Sequence, residues 1–416
     1  MPRDRSAPVL SRRTVLGIAA LAALPRGPAA AAGPDPLVLT AAPADLRLDG
    51  PERPPIAASA YNGVVPGPPI RVRRGGEVFA RLVNHLDRPT ALHWHGVRLV
   101  NAMDGAPPLT QAPVAPGGSF DYRFTVPDAG TFLYHAAGAS DRDSGLYGVL
   151  VVEETEPPPI DRDMVLVLDR WRPDGRPPMA TVNSERDTEI ALRRNERLRL
   201  RLVNAASDSV AALAFAGIGP LVVALDGQPV NAPFAPDRLR LDLAPGGRAD
   251  VLIDGTAGDL AGMALIEGSN VVEIVRFVPA PGKPARAEAL PPPAPLPRAL
   301  PARIDLAAAR RAELKLDAPA GPDGAPLLAV KRGTPVTLAL VNDTDAVNAV
   351  HVHGHTSRLL HPLDDGWEPY WLDTVLVPAG ETVHIAFIAD NPGRWLVECR
   401  AIGRSGAAGS TWFEVT

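Results

Sequence analysis

The sequence predicts an all-β protein made of three consecutive β-sandwich domains, and three observations carry that prediction. Forty-seven prolines and 37 glycines punctuate short runs of alternating apolar and polar residues, the pattern of many short strands joined by turns. Long helical periodicity is absent. Most informative is an internal repeat whose period is far longer than a solenoid unit, so that it marks duplicated domains rather than stacked repeats.

The repeat has two halves. The first is an alternating strand that ends in asparagine: GGEVFARLVN closes at Asn84, NERLRLRLVN at Asn204 and GTPVTLALVN at Asn342. The second is a Pro-Gly-type turn before another alternating strand. It reads Pro116-Gly117-Gly118 ahead of SFDYRFTV, Pro245-Gly246-Gly247 ahead of RADVLI, and Pro378-Ala379-Gly380 ahead of ETVHIAF. Three domains are expected on this basis, over residues 33–154, 155–279 and 302–416. Pro157-Pro158-Pro159 and the proline-rich residues 280–301 read as stiff, extended connectors between them.

Ahead of the first domain, Ser11-Arg12-Arg13-Thr14 leads into an apolar run to Leu24 and an alanine-rich stretch from Ala29 to Ala32. Residues 1–32 therefore read as a twin-arginine signal peptide, and the expected location is the periplasm or beyond. The apolar run is too short to span a bilayer, which takes about 20 residues, and no later segment reaches that length. The chain has 46% hydrophobic and 21% charged residues with a net charge of −5, an ordinary globular composition for 416 residues. Its basic residues are scattered, so no nucleic-acid partner is expected. The one cysteine, Cys399, excludes an intramolecular disulfide and leaves a thiol that is buried, reactive or a metal ligand.

Nine histidines are distributed unevenly: three lie between His93 and His135, three between His351 and His355, and none in the middle domain. Residues two apart on a strand share a face, so His93 with His95 and His351 with His353 each present two imidazoles side by side. Imidazole suits copper and zinc. Two matching pairs, one in each terminal domain, are what a metal centre at a domain interface requires.

At this point a resemblance becomes specific. YNGVVPGPPI, TALHWHG, MDG, PGGSFDYRF, GTFLYH and GLYGVLVVE run in the order of the first domain of the laccase-like multicopper oxidases, whose domains are cupredoxin-like Greek-key sandwiches. VNAAS, ALDGQPV and LAPGGRADVLI resemble the middle domain, and AVHVHGH, GWEPYWLDTVLVPAG and NPGRWLVEC the third. The resemblance implies a type 1 copper in the last domain, a three-copper oxygen-reducing cluster between first and last, and a His-Cys-His segment that carries electrons between them.

Residue by residue, the match is incomplete. At the type 1 place the resemblance puts Asn348, Cys399 and Arg404, with Gly409 or Ser410 near the axial position, so both imidazoles are replaced and no blue copper is expected. The His-Cys-His bridge reads Glu398-Cys399-Arg400. At the cluster, His93 and His351 match the type 2 ligands. His95 and His135 match one type 3 copper with Arg400 as the third residue, and His353 matches the other with Ala137 and Glu398 in the remaining places. Five of eight cluster imidazoles remain. Asp104 matches a carboxylate that delivers protons, whereas Gly403 stands where a second one would be.

Two readings stay open at this stage. In one, the surviving imidazoles take one or two copper ions, with laccase-type ancestry, a small-molecule or metal-ion substrate, and weak or no turnover. In the other, Arg400 and Glu398 form a buried ion pair in place of metal, and the fold is a scaffold for a protein partner, as in the twin-arginine-exported cell-division protein of this family. His355 is expected on the strand face of the His351 pair in a hydrogen-bonding role, and His85, His361 and His384 are expected at the solvated surface.

Overall fold

The sequence repeat folds into three copies of one two-sheet unit. The computed structural model describes residues 35–48, 52–173, 175–256, 261–361, 366–403 and 408–416; the signal-peptide segment and Arg404 lie outside them. Among the described residues, regular helix is confined to Ala139–Asp143 and two short 3-10 turns, and no helix is long and apolar enough to cross a membrane.

Each repeat strand runs parallel to the strand that opens its unit and antiparallel to the strand after the Pro-Gly-type turn. Glu77–Asn84 lies between Leu37–Leu46 and Ser119–Thr125, Arg197–Asn204 between Arg162–Trp171 and Arg248–Asp254, and Thr334–Val341 between Arg310–Lys315 and Thr382–Ala389. A second sheet closes each sandwich over its own apolar core.

The terminal asparagine of the repeat has one job in all three units. Asn84, Asn204 and Asn342 are buried, and each Nδ2 donates to carbonyls on both sides of the gap between the loop after its strand and the loop before the turn. The acceptors are Arg88 and Val114, Ser209 and Leu243, and Ala346 and Val377. Each Oδ1 in turn accepts the amide two residues on, from Leu86, Ala206 and Thr344. An apolar residue there would leave several buried backbone groups unsatisfied, at about 1–3 kcal/mol each.

The alternation in NERLRLRLVN does not place its polar face in water. Every residue of Arg197–Asn204 is buried, and the arginines are paired: Arg197 with Asp254, Arg199 with Glu154 and Asp250, and Arg201 with Asp163. Arg201 also donates to Thr131 of the first unit, so this face of the middle unit is a domain interface. The proline-rich segment is likewise packed rather than a free spacer. Leu296 joins Val223 and Leu252 of the middle unit, while Leu300 and Ile304 join Trp371 and Ala386 of the third.

Candidate metal centre

Two short, wholly buried strands deliver the first-domain histidines. In Leu92–His95, Leu92 and Trp94 fill the first core, so the pleat must turn His93 and His95 the other way, toward the third domain. Gly130–Ala136 pairs with it so that His135 stands opposite His93. In the third domain Asn348–Val352 does the same with Val350 and Val352 inward, and His351 faces out of that core. His93, His95, His135, His351 and His353 are all at most 4% exposed and form one cluster, with neighbouring ring centroids 3.7–5.7 Å apart.

Four of the rings are oriented by an oxygen behind them. A carbonyl can only accept, so His93 Nδ1 donates to the Asp104 carbonyl at 2.8 Å, His135 Nδ1 to that of Ala136 at 2.8 Å, and His351 Nδ1 to that of Asp373 at 3.0 Å. Thr374 Oγ1 gives its proton to Asp373, so it accepts from His95 Nε2 at 2.8 Å. The other nitrogen of each ring therefore carries a lone pair directed inward. His93 Nε2 and His351 Nε2 end up 3.3 Å apart, as do His95 Nδ1 and His135 Nε2. Neither contact has a proton to share in the neutral rings. A cation about 2.0 Å from both nitrogens of a pair would subtend about 110° at that spacing, so the donor set fits a metal ion.

The electrostatics agree with this assignment. Burial, reinforced by the neighbouring His351 ring and by the Arg142 cation respectively, pushes His95 and His135 well below the ordinary imidazole range, and burial takes His351 down to about 4. These rings are neutral ligands at neutral pH. His353 is the exception: burial opposes its charge, but Asp104 and then Glu398 outweigh it and raise the ring to about 10. Asp104 Oδ2 lies 2.9 Å from His353 Nδ1, and Glu398 Oε2 lies 4.0 Å from His353 Nε2. Burial pushes the fully enclosed Asp104 up, yet His353 and His93 hold it well below the usual carboxylate range. Asp104 Oδ1 and His353 Nε2 have no hydrogen-bond partner. Gly105, at φ +76, lets the Asp104 turn reach the histidine strand, because a Cβ there would sit 1.8 Å from the Leu92 carbonyl oxygen.

Support comes from residues that the histidine pattern did not reveal. Arg248 of the middle domain is fully buried and paired with Asp373, whose Oδ1 is 3.2 Å from His95 Nε2 and 3.5 Å from His351 Nδ1. Asp226, also from the middle domain, accepts the backbone amides of Asp373 and Thr374. A Cβ on Gly246 would come within 2.5 Å of the His95 ring, so the middle domain's turn presses directly on the cluster. Arg248 and Asp373 lie in the quoted stretches LAPGGRADVLI and GWEPYWLDTVLVPAG, but no local periodicity marks an ion pair that spans 125 residues.

Other expectations need correction. The Glu398–Arg400 ion pair is not among the ion pairs of the described residues; the Glu398 side chain is 29% exposed and faces His353 instead. His355 does not continue the histidine face, because the strand ends at Val352 and Gly354 turns the chain. Its ring packs among Phe387, Trp395 and Phe413, while its Nδ1 donates to the His353 carbonyl. His85 and His384 are exposed, whereas His361 is half-buried beside Glu368.

At the other end of the same strand, Asn348 Nδ2 donates to Asn342 Oδ1, Thr344 Oγ1 and the Ala346 carbonyl. Cys399 is buried in the third-domain core, and burial pushes its thiol up to about 12.

Comparison with known proteins agrees with the fold. Family models described as multicopper oxidase match residues 49–157, 125–261 and 295–407. The chain is 34% identical to the Lac15 structure from a marine microbial metagenome, with a TM-score of 0.81 over 92% of this chain and 100% of that one. A multi-copper oxidase structure from Pseudomonas thermotolerans is 30% identical, with a TM-score of 0.80 over 92% and 99%. Among curated proteins, the multicopper oxidase MmcO of Mycobacterium tuberculosis is 29% identical over 87% of this chain and 83% of its own length. With three cupredoxin-like sandwiches and a histidine cluster between the first and last, the chain belongs to the multicopper oxidase family.

Proposed function

We propose that this family member is exported and binds one or two copper ions between its first and third domains, with weak or no laccase-type turnover. The observation that supports this most is the convergence of inward lone pairs on His93, His95, His135 and His351, each ring oriented by an oxygen behind it. Nitrogen donors set this way are energetically poor neighbours until a cation lies among them. His93 and His351 are the primary ligands, with His95, His135 and His353 close behind.

Copper held there supplies Lewis-acid and one-electron chemistry at the domain junction. Asp104 holds its free Oδ1 toward the cluster, where it accepts a proton or orients a water, and Asp373 and Thr374 fix two of the rings. What is missing is an entry for substrate electrons. At the type 1 place the Asn348 amide is consumed by loop closure and Cys399 is ordinary core, so no blue copper forms and the path through Glu398-Cys399-Arg400 is broken.

A second reading, a non-enzymatic exported scaffold that engages a protein partner, is favoured by one contact. His353, held between Asp104 and Glu398, brings a positive charge into the site without metal. Optical absorption and phenol oxidation by protein matured with copper test the proposal. Copper-loaded protein without an intense blue band, and with turnover absent or far below that of a complete laccase, is expected. A strong blue band or robust chelator-sensitive oxidation contradicts the missing type 1 site, while protein that takes up no copper leaves the scaffold reading.

A further inference from the structure

Among the described residues, the buried arginines are matched by carboxylates or bound to several backbone carbonyls, with one exception. Arg197, Arg199, Arg201 and Arg248 each have an acidic partner, and Arg142 caps the carbonyls of Asn204, Ala205 and Ala206. Arg358, on the strand Ser357–Leu360, is only 5% exposed, yet its guanidinium meets neutral oxygens alone: the backbone carbonyl of Glu368 at 2.8 Å and Asn231 Oδ1 at 3.2 Å. Arg298, from the proline-rich segment, donates to that same Asn231 oxygen. Glu368 turns its carboxylate toward His361 instead. Among the described residues no ion pair relieves either cation.

Two guanidiniums converging on one amide oxygen repel each other, and burial of an unpaired charge is costly. Burial first, and then Arg298, lowers the Arg358 pKa, so the strain registers on that residue. Both arginines line a cleft of about 320 Å³ between the middle domain, the proline-rich segment and the third domain. Its remaining wall is apolar, from Val230, Pro295, Leu296 and Ala302. The Trp371 ring lies beneath Arg358, 5.0 Å from the guanidinium carbon, and fixes the plane of that fork.

We propose that this cleft is a binding site for a small organic carboxylate, with the anion paired to Arg298 and Arg358 and an apolar body against Val230 and Leu296. Guanidinium forks match a carboxylate's two oxygens. The volume exceeds the needs of a bare inorganic oxyanion, and the apolar wall offers such an ion nothing. The site is separate from the histidine cluster and does not depend on whether copper binds there.

Calorimetric titration of the full protein with benzoate, benzamide and inorganic phosphate tests this. Benzoate is expected to bind at least tenfold more tightly than neutral benzamide or phosphate. Arg298→Ala and the volume-conserving Arg358→Met are each expected to weaken benzoate at least tenfold, with thermal melting checking that the variants are folded. Equal binding of benzoate and benzamide, no binding of benzoate, or benzoate affinity unchanged in a folded Arg298→Ala protein would overturn the proposal. Tighter binding of phosphate than of benzoate would overturn the organic class.

Discussion

The strand Asn348–Val352 and its partner Gly393–Ala401 carry two regions of different chemistry. On the face turned into the third domain, Asn348, Val350 and Cys399 pack as core: the cysteine is apolar filler, and the asparagine closes its own loop. On the face turned to the first domain, His351 sits opposite Glu398 and points its lone pair at His93. Substitution is cheap where a sandwich core can absorb the replacement. It is costly at a junction where donors from several domains are already fixed in orientation, because each ring's outer nitrogen is held by a carbonyl, hydroxyl or carboxylate that cannot adapt alone.

The largest break in this comparison should come from the shared support. Arg248→Ala leaves Asp373 buried without its cation beneath His95 and His351, and a loss of about 3–5 kcal/mol is expected by denaturant unfolding. An unchanged midpoint would mean the ion pair does not brace the cluster. Next in size is the metal linkage itself. At free copper 100 times Kd, binding to the native state alone is worth about 2.7 kcal/mol. His351→Ala should abolish that copper-dependent rise in melting temperature, and His384→Ala, at an exposed position, should leave it intact.

A buried acid outside the histidine cluster supplies the pH control. Burial, the largest influence, raises Asp169 to about 7, although the Tyr147 hydroxyl and the Arg170 amide hydrogen-bond to it. Because the folded form then holds a proton that the unfolded chain releases near pH 4, Asp169 makes stability fall as pH rises from about 4 to 7, by at most about 1.36 kcal/mol per unit. Asp169→Asn should flatten that slope in pH-dependent unfolding without changing copper content. Smallest of all, Cys399→Ala should cost about 1 kcal/mol, typical of a minor core truncation, and alter neither copper uptake nor absorption. A large spectral change in that variant would restore the cysteine as a ligand.

Fold and cluster were legible in the sequence to different depths. The all-β sandwiches could be read because alternation and turn residues are local signals, and the threefold repeat confirmed their register. His93, His95, His351 and His353 could be read because two-residue spacing fixes a shared strand face, whereas His135 was reached only through the family resemblance. Arg248, Asp226 and Asp373 could not, because their partners lie over a hundred residues away, and nothing local separates a buried arginine on NERLRLRLVN from a solvated one. The same limit applies to Glu398: one of the two open readings paired it with Arg400, whereas the interface supplies His353 from a different segment.

The most direct test is the copper count of protein matured with copper, set beside the double variant His93→Ala/His351→Ala prepared in the same way. One or two coppers per chain are expected in the parent and none in the folded double variant. Equal copper in both, or none in either, would contradict a metal centre between the first and third domains.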